Sequence, residues 1–435
     1  METKQLTYRD RLHKVIPGGA HTYSRGDDQF PSNAPQILQK GKGAYVWDPE
    51  GNKFLDYGMA LRAITLGYSN DKVNKAAFVA IENGVNLQRA STVELDAAEL
   101  LVDLIPGAEM VKFAKNGSTA TTAAIKIARA YTGKKLIAFC AEHPFYSYDD
   151  WFIGSTIMSR GVPKEIQSLS LKFNYNDINS LTKLFEEYPG QIAAVLFEPA
   201  TLVGPKDNFL HKVKELCKKN GTVFILDEMI TGFRFHLQGA QTLYGVEPDM
   251  STFGKGMANG FSVAALVGKR EFMSIGGIKN PGAERVFLTS TTHGAEMVGL
   301  GAFIKTVEIY KQHNVIEHLW QYGKTLTNGM NAIAKELGIA EFFYTEGYDC
   351  SPNYVTKDKT GEVSLAFRTL FAQEMIKNGV MMPYIGLSYA HGDSELNITL
   401  AAVKKALTVY KQAIEKGYEN YLNGPIIKPV FRKFN

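Results

Sequence analysis

Two short apolar runs, Ile192–Phe197 (IAAVLF) and Thr222–Leu226 (TVFIL), decide the fold of this chain. The segment between them, at 207–219, has the apolar spacing of a helix. Each run is apolar without alternation, which is typical of a strand buried on both faces of a parallel sheet. The order strand, helix, strand therefore predicts an α/β fold in which helices cover a mostly parallel sheet.

The same alternation continues on both sides of these runs. A helical pattern over Thr119–Tyr131 is followed by the apolar run Lys135–Phe139, and upstream Gly43–Asp48 and Lys53–Tyr57 predict two strands joined by a turn. Beyond about residue 315 the helical patterns become longer and the strands fewer. We therefore predict an N-terminal segment at 1–60 that packs on the small domain, a large domain at 61–314, and a smaller C-terminal α+β domain at 315–435.

The composition excludes several classes of protein. Among 435 residues, 48 are Lys or Arg and 44 are Asp or Glu, and the net charge of +4 does not indicate a protein of nucleic acids or membrane surfaces. Apolar residues at 45% and charged residues at 21% are ordinary globular values. Three cysteines without metal-ligand spacing predict no metal site. The polar start and the lack of an apolar run of about 18 residues predict a cytoplasmic protein without a membrane span.

Two motifs lie where an open α/β sheet binds ligands, after the carboxyl ends of strands. Asn116–Thr119 opens a predicted helix, whose free amides favour an anion such as phosphate. Taken alone, the motif is better explained by an ordinary helix cap. Asp227 and Glu228 end the second apolar run, and buried carboxylates need a cation or hydrogen bonds. That cation is either a protonated heterocycle or Arg234 in a structural ion pair.

Two further motifs follow along the chain. Lys255 lies between Gly254 and Gly256, and in a tight, desolvated place its amine becomes a nucleophile that forms Schiff bases. A solvated loop lysine is the alternative. The polar cluster Ser290–Gly294 either holds phosphate oxygens or forms an ordinary turn.

The combination of these motifs is more specific than any one of them. A phosphate-binding helix start, a buried aspartate and a reactive lysine are what pyridoxal phosphate (PLP) requires. The lysine binds the cofactor, the aspartate keeps its pyridine nitrogen protonated, and the helix start holds its phosphate.

At these residues the chain resembles the class III PLP-dependent aminotransferases, and among them the glutamate-1-semialdehyde 2,1-aminomutases. The resemblance covers about Tyr8 to about Ile414 and implies fold type I, PLP as cofactor, and a homodimer with shared active sites. It is carried by ordered motifs at Ile16–Gly19, Gly43–Asp48, Ala128–Gly133, Gly161–Pro163, Phe197–Pro199, Leu226–Arg234 and Gly254–Lys255.

The resemblance implies a role for each matching residue around the cofactor ring. Lys255 matches the lysine that forms the Schiff base and moves the proton of the substrate. Asp227 matches the aspartate paired with the pyridine nitrogen. Met229 and Phe145 match the residues that pack on the two faces of the ring, and Glu198 matches a supporting glutamate nearby.

The remaining matches concern the phosphate and the substrate. Gly117 and Ser118 match the pair that binds the phosphate, and Thr291 matches the threonine that reaches it from the neighbouring subunit. Arg25 matches the arginine that binds the substrate carboxylate in the aminomutases.

Three departures from the family pattern affect the activity that we expect. Thr119 stands where the family has an acidic residue, and His143–Tyr148 replaces the usual Tyr-His-Gly. The segment between Asp150 and Gly161 is shorter than the gating loop that retains the intermediate in the aminomutases. A shorter segment favours release of the intermediate, which is ordinary transamination.

Three hypotheses follow. The first is an aminotransferase that moves an amino group from a small-molecule donor to an aldehyde or ketone acceptor by a ping-pong mechanism through Lys255. The alternative is an aminomutase, an isomerase that gives 5-aminolevulinate by intramolecular transfer. The third, a non-catalytic binding protein that kept the fold, would require the loss of Lys255 or Asp227, and both are present.

Overall fold

The computed structural model describes residues 6–279 and 281–435, so the first five residues of the predicted N-terminal segment lie outside the described part. Contacts divide the chain into two compact units. Unit 1 contains the residues up to Asn70 together with Glu317–Asn435, and unit 2 is Asp71–Ile316. The division into three functional parts, at 1–60, 61–314 and 315–435, stays a prediction.

The strands of the described residues are short. In chain order they are β1 Lys40–Lys42, β2 Tyr45–Trp47, β3 Lys53–Asp56, β4 Met110–Ala114, β5 Leu136–Cys140, β6 Ser170–Phe173, β7 Ile192–Phe197, β8 Val223–Asp227, β9 Met250–Phe253, β10 Ala264–Gly268, β11 Phe343–Tyr348, β12 Ser351–Thr356 and β13 Val380–Met381.

The helical segments range from single turns to rods of more than twenty residues. They are α1 Tyr8–Val15, α2 Met59–Arg62, α3 Asp71–Glu82, α4 Thr92–Leu104, α5 Gly117–Thr132, α6 Asp150–Ile153, α7 Lys164–Gln167, α8 Ile178–Glu187, α9 Phe209–Lys219, α10 Ala240–Leu243, α11 Arg270–Met273, α12 Met297–His313, α13 Val315–Glu336, α14 Leu365–Lys377 and α15 Asp393–Lys416. Within the described ranges, none of them has both the length and the apolar character needed to cross a bilayer.

Unit 2 is built on a sheet of seven strands in the order β4-β10-β9-β8-β7-β5-β6. The five strands from β9 to β6 run parallel, and β10 is antiparallel to both of its neighbours. Helices such as α5 and α9 pack against the sheet. The predicted α/β fold with a mostly parallel sheet is confirmed.

The strands of unit 2 form where the sequence is continuously apolar. Every residue of β5, β7 and β8 is buried, which explains why these runs show no polar alternation. The predicted helices at 119–131 and 207–219 correspond to α5 and α9. These strands and helices place the carboxyl ends of β7, β8 and β9 next to each other, because the three strands are parallel neighbours.

Unit 1 contains two smaller sheets. The first has the order β1-β2-β3-β13, in which β2 and β3 form the predicted antiparallel pair and β13 joins β3 in parallel. The second is the β11–β12 hairpin. Val46, Ile376 and Met381 form a buried cluster of this unit, so strands from both ends of the chain share one core.

One helical turn of unit 1, α2, is left-handed. Its four residues have φ values of 42, 48, 63 and 68°, and none of them is glycine. L-residues lose roughly 1–2 kcal/mol each in this conformation, because Cβ approaches the following carbonyl oxygen. Surrounding contacts must therefore hold the turn in place.

Candidate active site

The carboxyl edge of the unit 2 sheet collects most of the residues singled out in the sequence. Glu198 follows β7, Asp227 ends β8, and Lys255 follows β9 after one residue. The parallel register of β8 and β9 places Asp227 opposite Thr252. Open α/β sheets bind ligands at this edge, where strand ends point into the crevice between the following loops.

Asp227 is buried, with 2% of its surface exposed. Its Oδ1 accepts hydrogen bonds from the Met229 amide at 3.1 Å and the Thr252 hydroxyl at 2.9 Å. Burial raises the pKa of this carboxyl to about 6, while the Lys255 cation and the two hydrogen bonds oppose the rise. A buried carboxylate in this state is stabilised by a further cation.

Lys255 begins a short 3-10 helix, Lys255–Ala258, in a left-handed conformation with φ of 40°. The residue before it, Gly254, is extended. The lysine is half-buried, and its charge lies close enough to Asp227 to lower the pKa of that carboxyl. The structure therefore brings the predicted nucleophile and the predicted acid into one electrostatic pair.

Met229 lies between two glycines that come from distant parts of the sequence. A Cβ at Gly117 would lie 2.7 Å from the Met229 sulfur, and a Cβ at Gly254 would lie 2.6 Å from it. A side chain at either position would have to displace the thioether. The start of α5 and the loop of Lys255 thus approach the same buried side chain, which also packs on Ala264.

The N-terminus of α5 is capped by Asn116, whose Oδ1 accepts from the Thr119 amide at 2.9 Å. The Ser118 hydroxyl accepts from the Tyr148 amide at 3.0 Å. In the described part of the chain, the amides of Gly117 and Ser118 have no hydrogen-bond acceptor. The motif is therefore a helix cap that still leaves two donors for an anion.

The loop after β5 contributes aromatic side chains. Phe145 is 46% exposed and packs its edge on Phe152, with ring centroids 5.7 Å apart. Tyr146 is buried instead, and its main-chain oxygen accepts from the Thr121 hydroxyl of α5 at 3.0 Å. Phe145 thus presents an accessible ring, while Tyr146 fixes the loop to the helix.

His143 and Tyr146 form a buried pair that the sequence analysis did not assign. The Tyr146 hydroxyl lies 2.9 Å from His143 Nδ1, which also accepts from the Glu198 amide at 3.1 Å. Burial lowers the pKa of His143 to about 4, so the ring is neutral near pH 7. The pair links the loop after β5 to the end of β7. The only sequence feature that pointed to this pair was the departure of His143–Tyr148 from the family pattern.

Glu228 has a structural role, although it follows Asp227 directly. Its carboxylate accepts from the Ala240 amide at 2.9 Å, from the Gln241 amide at 2.7 Å, and from the Thr231 hydroxyl. Burial raises its pKa to about 7, against these hydrogen bonds. Glu228 therefore caps the start of α10, so the adjacent carboxylates Asp227 and Glu228 have different surroundings.

Thr291 and Arg25 are the two predicted site residues that remain. Thr291 is exposed in unit 2, in a turn where its amide donates to the Thr289 oxygen at 2.9 Å. Arg25 belongs to unit 1, where it is exposed and lines a cavity of about 560 Å³. The structure groups Gly117, Asp227, Met229 and Lys255. The roles of all the predicted site residues, Thr291 and Arg25 included, stay predictions.

Comparison with known proteins agrees with this arrangement. A family model for aminotransferase class-III matches residues 27–414. The chain belongs to the class III aminotransferases. Its predicted family, its fold and PLP as the cofactor are confirmed.

Curated relatives of this aminotransferase have two different activities. A 3-aminobutyryl-CoA aminotransferase of Cloacimonas acidaminovorans is 32% identical, and the match covers 94% of this chain and 98% of the relative. A glutamate-1-semialdehyde 2,1-aminomutase of Alkaliphilus oremlandii is 31% identical, with coverages of 91% and 96%. Both transferase and mutase chemistry therefore occur at this level of similarity.

A solved structure shows the same fold. The PLP internal aldimine form of the FumI protein of Sphingopyxis sp. MTA144 has a TM-score of 0.84 and 27% identity. The match covers 94% of this chain and 96% of that protein. The class III aminotransferase described here thus shares its architecture with a protein solved with PLP.

Proposed function

We propose that this class III aminotransferase moves an amino group from a small-molecule donor to an aldehyde or ketone acceptor in two half-reactions, with Lys255 and Asp227 as its central groups. The observation that carries the proposal is the buried Asp227 carboxylate beside the Lys255 cation at the sheet edge. An acid and an amine in one desolvated place are the pair that PLP chemistry requires.

The residues present fit the cofactor. The Asp227 carboxyl, whose pKa burial raises to about 6, favours a cationic partner such as a protonated pyridine nitrogen. The two amides of Gly117 and Ser118 at the start of α5 fit a phosphate. Met229 and Phe145 supply an apolar and an aromatic surface for the ring, and Glu198 supports the loop of Phe145 through His143.

The chain supplies the acid–base groups of the reaction. When bound, PLP supplies an electron sink for the bond broken next to the amino group. Lys255 Nζ would hold the cofactor between reactions and would move the proton at the substrate carbon in both half-reactions. Asp227 would keep a proton on the pyridine nitrogen, since its carboxylate is shielded from water.

The short segment after α6 supports transamination over isomerisation. The chain passes from α6, which ends at Ile153, to α7, which begins at Lys164. The Gln167 side chain donates to the Val162 oxygen at 2.8 Å and closes this segment on itself. A short, internally bonded segment has little length for a lid that retains an intermediate.

We also propose a homodimer with shared active sites, in which Thr291 of one subunit reaches the phosphate of the other. Several large apolar side chains of unit 2 are exposed, among them Phe78 at 60%, Ile81 at 47% and Leu95 at 57%. Phe78 and Ile81 lie three residues apart on α3 and therefore next to each other on its surface, and grouped exposed apolar side chains are typical of an interface. Sedimentation of the protein and of an Ile81→Asp variant tests this proposal, and a wild-type monomer would contradict it.

The substrates are proposed from chemistry and from the relatives. Arg25 would bind an anionic group of one substrate, since arginine suits carboxylates and phosphates. The relative's name makes 3-aminobutyryl-CoA a donor to test first. The separation of a PLP-binding domain at 61–314 from a smaller domain at 315–435, and a cytoplasmic location, stay predictions.

The test is the absorbance of the purified, PLP-loaded enzyme during addition of amino donors one at a time. A donor that bleaches the visible band and gives a keto product supports the aminotransferase. If no donor does so, and glutamate-1-semialdehyde alone gives 5-aminolevulinate, the enzyme is the aminomutase. A protein that cannot be loaded with PLP would contradict both and favour a non-catalytic binding protein.

A further inference from the structure

Two buried polar side chains of unit 2, His143 and Tyr146, take no part in the proposed proton transfers. They lie three residues apart in the loop after β5 and are 3% and 2% exposed. Polar groups at this depth are costly unless hydrogen bonds satisfy them. The partners of the pair therefore indicate its purpose.

The contacts of His143 Nδ1 fix the protonation of the ring. The Glu198 amide, at 3.1 Å, can only donate, so Nδ1 accepts and the neutral ring carries its proton on Nε2. The Tyr146 hydroxyl, 2.9 Å from Nδ1, must then be a donor as well. Nδ1 is thus the common acceptor for the end of β7 and for the loop after β5.

The other ring nitrogen of His143 has no such contact. Nε2 is buried and has no hydrogen-bond partner among residues 6–279 and 281–435. The ring packs on aromatic neighbours instead, with its centroid 5.0 Å from that of Tyr175 and 6.4 Å from that of Phe197. A buried N–H without an acceptor is unfavourable, so the benefit of a histidine at this position comes from its acceptor Nδ1.

Tyr146 also joins the loop to the start of α5. Its main-chain oxygen accepts from the Thr121 hydroxyl at 3.0 Å, and two residues further on the Tyr148 amide donates to the Ser118 hydroxyl at 3.0 Å. The Thr121 hydroxyl lies 3.2 Å from the Gly117 oxygen. The loop is therefore attached both to the end of β7 and to the helical turn whose two amides fit a phosphate.

Phe145 lies between these attachments. It directly precedes Tyr146 and follows Pro144, whose ring fixes φ. The rings of Phe145 and Tyr146 both meet Phe152 edge-on, with centroids 5.7 and 5.5 Å from it. Phe145 is nonetheless 46% exposed, so an accessible ring rests on a buried, hydrogen-bonded base. Packing and hydrogen bonds of this kind hold a side chain in one direction.

The pair adds no charge beside Asp227. Burial raises the pKa of the Tyr146 hydroxyl well above its usual value, and the Glu198 and Asp227 carboxylates add to the rise. Burial lowers the pKa of His143 to about 4. Phenol and imidazole are both neutral near pH 7, so they can hold the loop without competing with a cation for the Asp227 carboxylate.

We propose that His143 and Tyr146 are positioning residues that direct the ring of Phe145 onto the pyridine ring of the cofactor, and that the hydrogen bond between them is the critical contact. The proposal rests on the proposed aminotransferase function, in which Phe145 packs on one face of that ring. Neither His143 nor Tyr146 has to touch the cofactor, because each acts through Phe145. Loss of the hydrogen bond should let Phe145 turn while the strands of the sheet edge stay in place.

The first test compares two variants of His143 in the PLP-loaded enzyme. Asparagine and leucine have the same shape, but only asparagine offers an oxygen that can accept near the place of Nδ1. We expect His143→Leu to weaken PLP binding about tenfold and to reduce the circular dichroism of the visible cofactor band to about half, because that signal depends on how the cofactor ring is held. His143→Asn should keep both quantities within about twofold of the wild type. Equal losses in the two variants would overturn the proposal.

The second test asks whether Tyr146 acts through Phe145. Tyr146→Phe removes only the hydroxyl and should match His143→Leu in PLP affinity and dichroism. Tyr175→Phe is the control, because the ring of Tyr175 also contacts His143 but its hydroxyl donates to the Pro199 oxygen at 2.6 Å; it should change neither quantity. Phe145→Leu should lose at least as much as Tyr146→Phe, and the double variant should lose no more than Phe145→Leu alone. Additive losses would show that Tyr146 acts independently of Phe145 and would overturn the proposal.

PLP affinity and dichroism need no turnover, so they separate this proposal from the proposed function. If the wild type binds PLP but transaminates no donor, the aminotransferase function fails while the dichroism of the variants still decides the positioning role. If Tyr146→Phe does not fold, the comparison of His143→Asn with His143→Leu decides it. In an active enzyme, Tyr146→Phe should lower kcat about tenfold and keep donor KM within about threefold, because a misdirected ring disturbs the reacting geometry more than donor binding.

Discussion

The sheet edge of unit 2 and the left-handed turn of unit 1 both contain an unfavourable arrangement, but its physical nature differs. At the sheet edge the backbone is mostly regular, and the unfavourable feature is a buried charge on Asp227. In the turn the unfavourable feature is the backbone conformation of Met59–Arg62, and hydrogen bonds to Asp56 and Tyr68 offset it.

Because the unfavourable features differ, the two regions should respond to different changes in pH and in sequence. A buried charge responds to pH, to its neighbour Lys255 and to a bound cation, because the interaction is electrostatic. A strained backbone responds to substitutions that alter conformational freedom or remove a hydrogen bond. We therefore expect charge-altering changes to affect the sheet edge most, and changes of backbone freedom to affect the turn most.

Replacement of Lys255 should have the largest effect. Lys255→Ala removes the only proposed proton carrier at the substrate carbon, so we expect transamination to fall by about 10⁴-fold or more. Lys269→Ala is the matched control, because that half-buried lysine pairs with Asp249 at 3.1 Å and lies outside the cluster. The measurement is the steady-state rate of transamination by each variant. Comparable losses in the two variants would contradict the assignment.

Replacement of Asp227 should have the next largest effect on activity. Asp227→Asn removes the charge that would stabilise a protonated pyridine nitrogen, and we expect kcat to fall by roughly 10²- to 10³-fold. The control is Glu228→Gln, since Glu228 is equally buried but caps α10. The visible spectrum of the bound cofactor should change in the first variant and not in the second.

The pH dependence of stability should report on the buried charge of Asp227. The pKa of Asp227 rises from 3.8 to about 6 on folding, so the native state binds a proton more tightly than the unfolded chain. Stability of the cofactor-free protein should therefore fall as pH rises from about 4 to about 6 and stay low above that range. The pKa of Glu228, raised from 4.5 to about 7, acts in the same direction at slightly higher pH.

The measurement is the Tm of cofactor-free wild type and Asp227→Asn between pH 4 and pH 8. The variant should gain on the wild type at pH 8 and gain little at pH 4, where the native carboxyl is protonated and no charge is buried. A constant difference across the range would show that the charge of Asp227 is not the destabilising feature.

The smallest effect should come from glycine substitutions in and next to the turn. Ala60→Gly removes strain at φ of 48°, so its Tm should equal or exceed that of the wild type. Ala63→Gly, at φ of −82°, has no strain to remove and should lose about 0.5–1 kcal/mol of stability. Thermal unfolding of the two variants checks the contrast. A lower Tm for Ala60→Gly than for Ala63→Gly would contradict the claim that the positive φ of Ala60 costs stability.

The sequence by itself determined three strands of the unit 2 sheet and the two helices α5 and α9, and it pointed to Asp227 and Lys255. The runs that became β5, β7 and β8 are recognisable because strands buried on both faces must be apolar throughout. Asp227 stands out because a carboxylate at the end of such a run needs a compensating partner, and Lys255 stands out because two glycines flank it between apolar runs. These are local signals, and they need no knowledge of distant contacts.

Only the tertiary structure decided the arrangements that depend on distant partners. The approach of Gly117 and Gly254 to the Met229 sulfur depends on the fold, and so does the hydrogen bond from the Glu198 amide to the His143–Tyr146 pair. The turn Met59–Arg62 is the extreme case, since Met, Ala, Leu and Arg all favour right-handed helices. Its left-handed path is set by Asp56, Tyr68 and Tyr384 through contacts that local propensity does not encode.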